Sequence, residues 1–390
     1  MVNSANPAKN YPRLFQLPKS SFFLLGMRGV GKSTLIKASL KNAKTVDLLD
    51  ESLYQGYLSK PHEFAEDLSE VKPGEWVVVD EVQRLPQLLN EVHRLIEEKK
   101  LKFALLGSSA RKLRRAGVNL LGGRAVQKFL HPFLPQELGD DFSMDKVLRQ
   151  GSIPLIWVSE NPREQLLAYL QLYLKEEIQA EALVRNLPGF ARFLPVAALF
   201  HGQTINVEAL GRDCGVARST VEGYLQILED TLVAFRLPAY ENKLRVRQRM
   251  HPKLYWTDSG VVRAAKRQLE GLAHEEKGAL FEGFVAQVLK AYRELGKLSC
   301  DQISYWSAGK NSIEVDFVLE RGKEIIGIEA KSGMELDKKW FAGLLALKNT
   351  GKLKRALVVY MGNRKYKHSS GAEVYPIHDF IKELSHSGGI

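Results

Sequence analysis

At 390 residues, with 45% hydrophobic and 26% charged side chains, the chain has the make-up of a globular protein and the length for two to four folded units. Its net charge of +11 favours an anionic partner: a nucleotide, a nucleic acid or an acidic surface. Two lone cysteines, Cys214 and Cys300, exclude a disulfide framework and a zinc site. The polar stretch Met1 to Phe15 has no signal-peptide core and no apolar run approaches bilayer length, so a soluble, cytoplasmic protein is expected.

The first predicted element is a buried strand, Phe22-Phe23-Leu24-Leu25. Gly26-Met27-Arg28-Gly29-Val30-Gly31-Lys32-Ser33 follows it and fits G-x-x-x-x-G-K-[ST] at every fixed position, and a helix is predicted from Thr34. Strand, glycine loop and helix in that order aim backbone N–H groups and a helix N-terminus at a bound anion. Gly26, Gly29, Gly31, Lys32, Ser33 and Thr34 are therefore assigned to nucleotide binding. Lys32 is expected on the β- and γ-phosphates and Ser33 on Mg²⁺.

Three more strands are predicted: Val46-Asp47-Leu48-Leu49, Trp76-Val77-Val78-Val79 and Phe103-Ala104-Leu105-Leu106. Helical stretches alternate with them, which implies a parallel sheet covered on both faces. Asp80 and Glu81 stand at the carboxyl end of the second of these strands, where open α/β sheets bind ligands. Asp80 is assigned to Mg²⁺ and Glu81 to polarising the attacking water; the plainer alternative is an acidic helix start. Ser108 or Ser109 is expected beside the phosphates, or else capping the next helix. Among the nearby basic residues Arg111, Lys112, Arg114, Arg115 and Arg124, the last is the first choice for an arginine finger. Such a finger requires a neighbouring subunit or a domain closure.

The pattern becomes helical from about 161 to 200, with Leu166, Leu167, Tyr169, Leu170, Leu172 and Leu174 as an apolar band. A helix–turn–helix is predicted next. Val207 to Leu210 opens the first helix, Gly215 serves the turn, and Arg218 to Leu225 form the second. In a DNA reader Arg218, Ser219 and Thr220 face the duplex. Lys243, Arg245, Arg247 and Arg249, spaced by two, would line one face of a strand and track phosphates. The competing use of such a fold is protein contact.

The last unit starts with a helix carrying Glu282 and continues with a hairpin. Ile313 to Leu319 alternates as one strand, Arg321-Gly322 is read as the turn, and Ile325 to Lys331 is the second strand. That register puts Glu314 opposite Glu329 with Asp316 diagonal to it. Clustered carboxylates need a cation between them, and the arrangement suits metal-assisted phosphodiester cleavage. Asp316 and Glu329 would hold Mg²⁺, Lys331 would hold the attacking water or stabilise charge, and Glu282 completes the set. The plainer reading is a solvated polar face with one salt bridge.

The chain as a whole resembles AAA-type ATPases of bacteria and archaea that carry an uncharacterised C-terminal domain, close to the signal-transduction ATPases. The resemblance rests on Gly26 to Thr34, Val79 to Pro86, Gly107-Ser108-Ser109, Gly123-Arg124-Ala125, Pro132 to Pro135, Pro252 to Gly260, Glu314 to Phe317 and Ile328 to Lys331. Gly151-Ser152-Ile153-Pro154 departs from the usual Gly-Gly-x-Pro. The C-terminal part resembles the PD-(D/E)xK restriction-endonuclease-like fold, as in archaeal Holliday-junction resolvases; Asp316, Glu329, Lys331 and Glu282 match its core. The resemblance implies an α/β protein: a P-loop AAA-type parallel sheet over 1–140, a helical region over 141–200, a winged helix–turn–helix over 201–262 and a nuclease-like domain over 263–390. It implies ATP and Mg²⁺ as cofactors, DNA as a partner, and a homo-oligomer as one form of assembly. Two activities are expected from it: ATP hydrolysis controlling a Mg²⁺-dependent nuclease, or a nucleotide-switched scaffold whose nuclease-like unit only binds partners.

Overall fold

The computed structural model describes residues 11–109, 121–173, 187–240, 251–308 and 313–385. Five strands, β1 (Phe22–Leu25), β2 (Lys44–Asp47), β3 (Trp76–Asp80), β4 (Lys102–Gly107) and β5 (Val126–Phe129), form an all-parallel sheet in the order β2-β3-β4-β1-β5. The side chains of each inner strand alternate between two cores. Phe22, Leu24, Val78, Ala104 and Leu106 enter one; Phe23, Leu25, Val77, Val79, Phe103 and Leu105 enter the other. A strand buried on both faces reads as a continuous apolar run, which is why β1, β3 and β4 are plain in the sequence. This is the parallel sheet of a P-loop AAA fold.

Two strand expectations need correction. β2 begins and ends two residues before the expected stretch, because Leu48 and Leu49 turn towards a helix start. There Asp50 caps the helix Glu51–Ser59, its side chain accepting from the N–H groups of Ser52 and Leu53. β5 was not expected at all: it is an edge strand whose side chains are half-buried or exposed, so it has no apolar signature.

A helical region follows, with α1 (Lys32–Ser39) behind it in the first unit and α2 (Met144–Gln150) within it. The apolar band expected from 161 splits into the helix Pro162–Ala168 and a wider turn, Tyr169–Tyr173. Leu166 and Tyr169 are buried; Leu174 lies outside the described residues. Next come α3 (Val207–Cys214) and α4 (Arg218–Asp230). Asn206 caps α3, and Gly215 sits at φ +65° in the tight turn that the sequence predicted. A small antiparallel sheet, β6 (Gln203–Thr204), β7 (Ala234–Leu237) and β8 (Lys253–Trp256), packs beside them in the order β6-β8-β7. The chain then forms α5 (Ser259–Ala265) and the long α6 (His274–Glu294).

The final unit is a mixed six-stranded sheet ordered β13-β14-β12-β11-β10-β9. Its strands are β9 (Gln302–Ser307), β10 (Glu314–Arg321), β11 (Glu324–Lys331), β12 (Leu353–Tyr360), β13 (Tyr366–Lys367) and β14 (Glu373–Pro376). β10 and β11 form the expected hairpin, but Arg321 pairs with Glu324, so the turn is Gly322-Lys323 rather than Arg321-Gly322. A buried core runs unbroken from Phe22 through Trp157 and Phe193 to Phe317 and Leu384, so the units share their interior.

Candidate nucleotide site and carboxylate cluster

The glycine loop lies between β1 and α1. Gly31 stands at φ +88° as the residue before α1, and a Cβ at Gly26 would lie 2.4 Å from the Leu130 carbonyl oxygen. Neither place admits a side chain without a shift. Lys32 is buried, and its Nζ donates to the carbonyl oxygens of Gly26 (2.7 Å) and Met27 (3.2 Å). Ser33 Oγ donates to Asp80 Oδ2 at 2.5 Å, so the two residues assigned to Mg²⁺ meet. One hydroxyl and one carboxylate, with the rest of the sphere open to phosphates and water, is the donor set Mg²⁺ accepts.

Strand order explains the meeting. β4 separates β1 from β3, and the carboxyl ends of all three are level. Glu81 follows Asp80 in the left-handed region, at φ 54° and ψ 41°, a conformation uncommon outside glycine. It lines a cleft of about 690 Å³ together with Arg28, Lys32, Ser33 and Thr34. Two apolar side chains of the same cleft, Leu155 and Val158, are 45% and 54% exposed. Ser108 is wholly buried at the end of β4 and accepts from Gln83 Nε2 at 2.9 Å; Ser109 beside it is also buried.

Arg124 does not reach this cleft. It precedes β5, whose Val126 pairs with Phe22 at the amino end of β1, so it stands at the opposite edge of the sheet and pairs with Glu97. From there a finger role would need a neighbouring subunit or a domain closure. Arg111, Lys112, Arg114 and Arg115 lie outside the described residues. The arginine that does border the loop is Arg13. Its guanidinium donates to the carbonyl oxygens of Val30 (2.7 Å) and His131 (2.6 Å) and pairs with Glu137. A single arginine ahead of the first strand gave no signal of this.

Residues downstream of the sheet also touch the loop. Leu155 N–H donates to the Gly29 carbonyl at 3.2 Å, and a Cβ at Gly29 would lie 3.2 Å from Leu155 Cβ. The preceding Ser152 N–H donates to Asp258 Oδ2 at 2.7 Å, while Asp258 caps α5 through the Val261 N–H. Burial pushes the Asp258 carboxyl up to about 6 against the backbone N–H groups that favour its ionised form.

Arg218 at the start of α4 pairs with Glu208 at 2.9 Å, and Arg236 pairs with Glu229 and Glu222. Ser219 is exposed and Thr220 half-buried. Lys243, Arg245, Arg247 and Arg249 lie outside the described residues.

In the C-terminal unit the observed register continues to place Asp316, not Glu314, opposite Glu329. Lys331 Nζ lies 3.2 Å from Asp316 Oδ2 and 2.6 Å from Glu329 Oε2. Glu282 comes in from α6 as expected. The unexpected member is Lys253 of β8, 1% exposed, whose Nζ lies 3.2 Å from Glu282 Oε1, 3.0 Å from Glu314 Oε1 and 3.9 Å from Asp316 Oδ1. Tyr255 of the same strand donates to Glu282 Oε1 at 2.5 Å. Burial opposes ionisation of Asp316, but the Lys331 and Lys253 ammonium groups outweigh it and hold its carboxyl below the ordinary range. Burial and then the Asp316 charge push Glu282 up to about 7, and the same two causes raise Glu329 well above its ordinary value.

Lys253 and Lys331 stand in the cluster where Mg²⁺ was expected on Asp316 and Glu329. A cleft of about 380 Å³ opens over it, lined by Glu282, Lys331, Ser332 and Trp340.

Fold and loop together define the first unit as an AAA-type P-loop domain, and residues 19–139 match the family model described as an AAA domain. Residues 142–271 and 277–380 match two models described as domains of unknown function, DUF8612 and DUF4143. The chain is similar to uncharacterized proteins of Mycobacterium tuberculosis (strain ATCC 25618 / H37Rv) and Mycobacterium bovis (strain ATCC BAA-935 / AF2122/97), each 25% identical over 364 residues, covering 90% of this chain and 79% of theirs. Among solved structures it is remotely similar to the Aeropyrum pernix Orc1 protein in complex with DNA, at 15% identity and a TM-score of 0.28, with 69% of this chain and 88% of that one covered. A replication initiator DnaA bound to AMPPCP and single-stranded DNA gives 15% identity and a TM-score of 0.27, with 54% and 82% covered. No described helix is long and apolar enough to cross a membrane.

Proposed function

We propose that the protein binds and hydrolyses ATP, and that its nucleotide state is felt by the middle and C-terminal units. The observation that carries this reading is the contact of Ser33 with Asp80 beside Glu81, at the mouth of a complete phosphate loop. Lys32 would neutralise the β- and γ-phosphates, Ser33 and Asp80 would hold Mg²⁺, and Glu81 would orient and polarise the attacking water. Bound Mg²⁺ supplies charge neutralisation across the phosphates. Leu155 and Val158 offer the cleft an apolar wall for the base.

The test is phosphate release from ATP and Mg²⁺ by the full chain, set against Lys32→Ala. Removing that ammonium group is expected to weaken nucleotide binding ten- to a hundredfold, about 1.4–2.8 kcal/mol. Calorimetry showing unchanged affinity would remove the loop from nucleotide binding.

For the C-terminal unit the scaffold reading is favoured over cleavage, because Lys253 and Lys331 already fill the cluster. DNA is the proposed partner, supported by the net charge of +11 and the helix–turn–helix pattern, with Arg218, Ser219 and Thr220 as its proposed contacts. Duplex, single-stranded and branched DNA incubated with Mg²⁺ or Mn²⁺, with and without ATP, are expected to stay intact. Binding is expected to weaken linearly in log–log plots against salt. Cleavage by wild type that is lost in Asp316→Ala would restore the nuclease reading.

A further inference from the structure

We propose that Gln83 is a positioning residue that ties Glu81 to Ser108 and so fixes where the attacking water is held. The proposal rests on the ATPase reading. Gln83 sits in the short turn Val82–Arg84, directly after the left-handed Glu81, and this reversal brings its side chain back over the end of β3. It is 5% exposed and does not line the cleft, so it acts through its neighbours and not on the substrate.

Its amide nitrogen donates to Glu81 Oε2 and also to Ser108 Oγ at 2.9 Å. An ionised carboxylate only accepts, so the NH₂ face of the amide must point at Glu81. Both N–H groups are then spent, one on each acceptor. Glu81 follows β3 and Ser108 follows the adjacent β4, so one planar amide sets the spacing between the base and the carboxyl end of β4. Room for it comes from Gly107, where a Cβ would lie 2.7 Å from Gln83 Oε1. That oxygen is buried and has no hydrogen-bond partner among the described residues. The side chain is held by its nitrogen alone, which argues for the two donations and against a space-filling role.

A positioned base is needed only when water attacks, not when ATP binds. Gln83→Ala is therefore expected to lower kcat about ten- to a hundredfold, with KM for ATP nearly unchanged. Gln83→Glu keeps the shape but sets a carboxylate against a carboxylate, and its loss is expected to be at least as large at pH 8. Ser108→Ala combined with Gln83→Ala should cost less than the product of the two single losses. Steady-state ATPase assays that separate kcat from KM, with thermal melts as a control on folding, read all of this. If Gln83→Ala and Gln83→Glu both keep the wild-type kcat, Gln83 positions nothing. If only Gln83→Ala loses activity while Gln83→Glu matches wild type, the residue merely fills space and the proposal is again overturned. Wild-type protein that binds ATP without turning it over fails the ATPase reading instead, a distinct result.

Discussion

Glu81→Gln is expected to leave ATP bound and to cut its hydrolysis a hundredfold or more, the range of a lost general base. The amide matches the carboxylate in size but cannot take a proton from water. It also reverses one contact: the Gln83 amide, which donates to Glu81 Oε2, meets a group that both donates and accepts. Ser33 and Asp80 are untouched, so binding of nucleotide with Mg²⁺ should stay near wild type. Equilibrium binding and single-turnover hydrolysis separate the two effects. Turnover that persists would place the base elsewhere in the cleft.

The largest effect on stability is expected from Lys253→Met. Removing one partner of a buried ion pair leaves the other charge uncompensated, at a cost of about 3–5 kcal/mol. Here one ammonium group serves Glu282, Glu314 and the more distant Asp316, so the loss falls on a cluster. The cost has a pH dependence whose sign is fixed. Glu282 has its carboxyl pushed up to about 7 by burial and then by Asp316, against the pull of Lys253. A carboxyl raised in the folded state destabilises it as pH climbs from the ordinary carboxylate value through the raised one, and acid relieves this. Without Lys253 that window extends upwards. The deficit of Lys253→Met should thus be large at pH 8 and markedly smaller at pH 5. Guanidinium unfolding at the two pH values checks it; equal deficits would mean that packing, not charge, holds the lysine in place.

The sequence made legible what depends on local pattern. The glycine loop, the doubly buried strands and the acidic pair at the end of β3 all follow from runs of neighbouring residues. The turn glycine of the helix–turn–helix does too. What escaped depends on the meeting of distant segments. Lys253 precedes Glu282 by 29 positions and Glu314 by 61, and nothing in a lone lysine on a strand points to three carboxylates. The hairpin was read correctly as a hairpin, but shifting its turn by one residue moved the pairing by two and exchanged Glu314 for Asp316 opposite Glu329. The place of Arg124 was not legible, because β5 carries no apolar pattern and the end of the sheet at which the arginine stands was invisible. Gln83 was in plain view beside Glu81, yet its amide acquires meaning only when β3 and β4 lie side by side.

The contacts of Gly29 with Leu155, and of Ser152 with Asp258, bear on how this chain can be divided. The AAA match ends at 139, yet the backbone of the phosphate loop is finished by residues beyond that border, themselves held from 106 positions further on. A fragment cut at 139 carries every residue of the motif and lacks the wall against which the loop is set. Exchange of parts between relatives meets the same boundary: a transplanted phosphate loop must travel with the 151–155 segment and with a compatible residue at Asp258. Inheritance of these stretches as a set, despite their distance along the chain, is what this architecture demands.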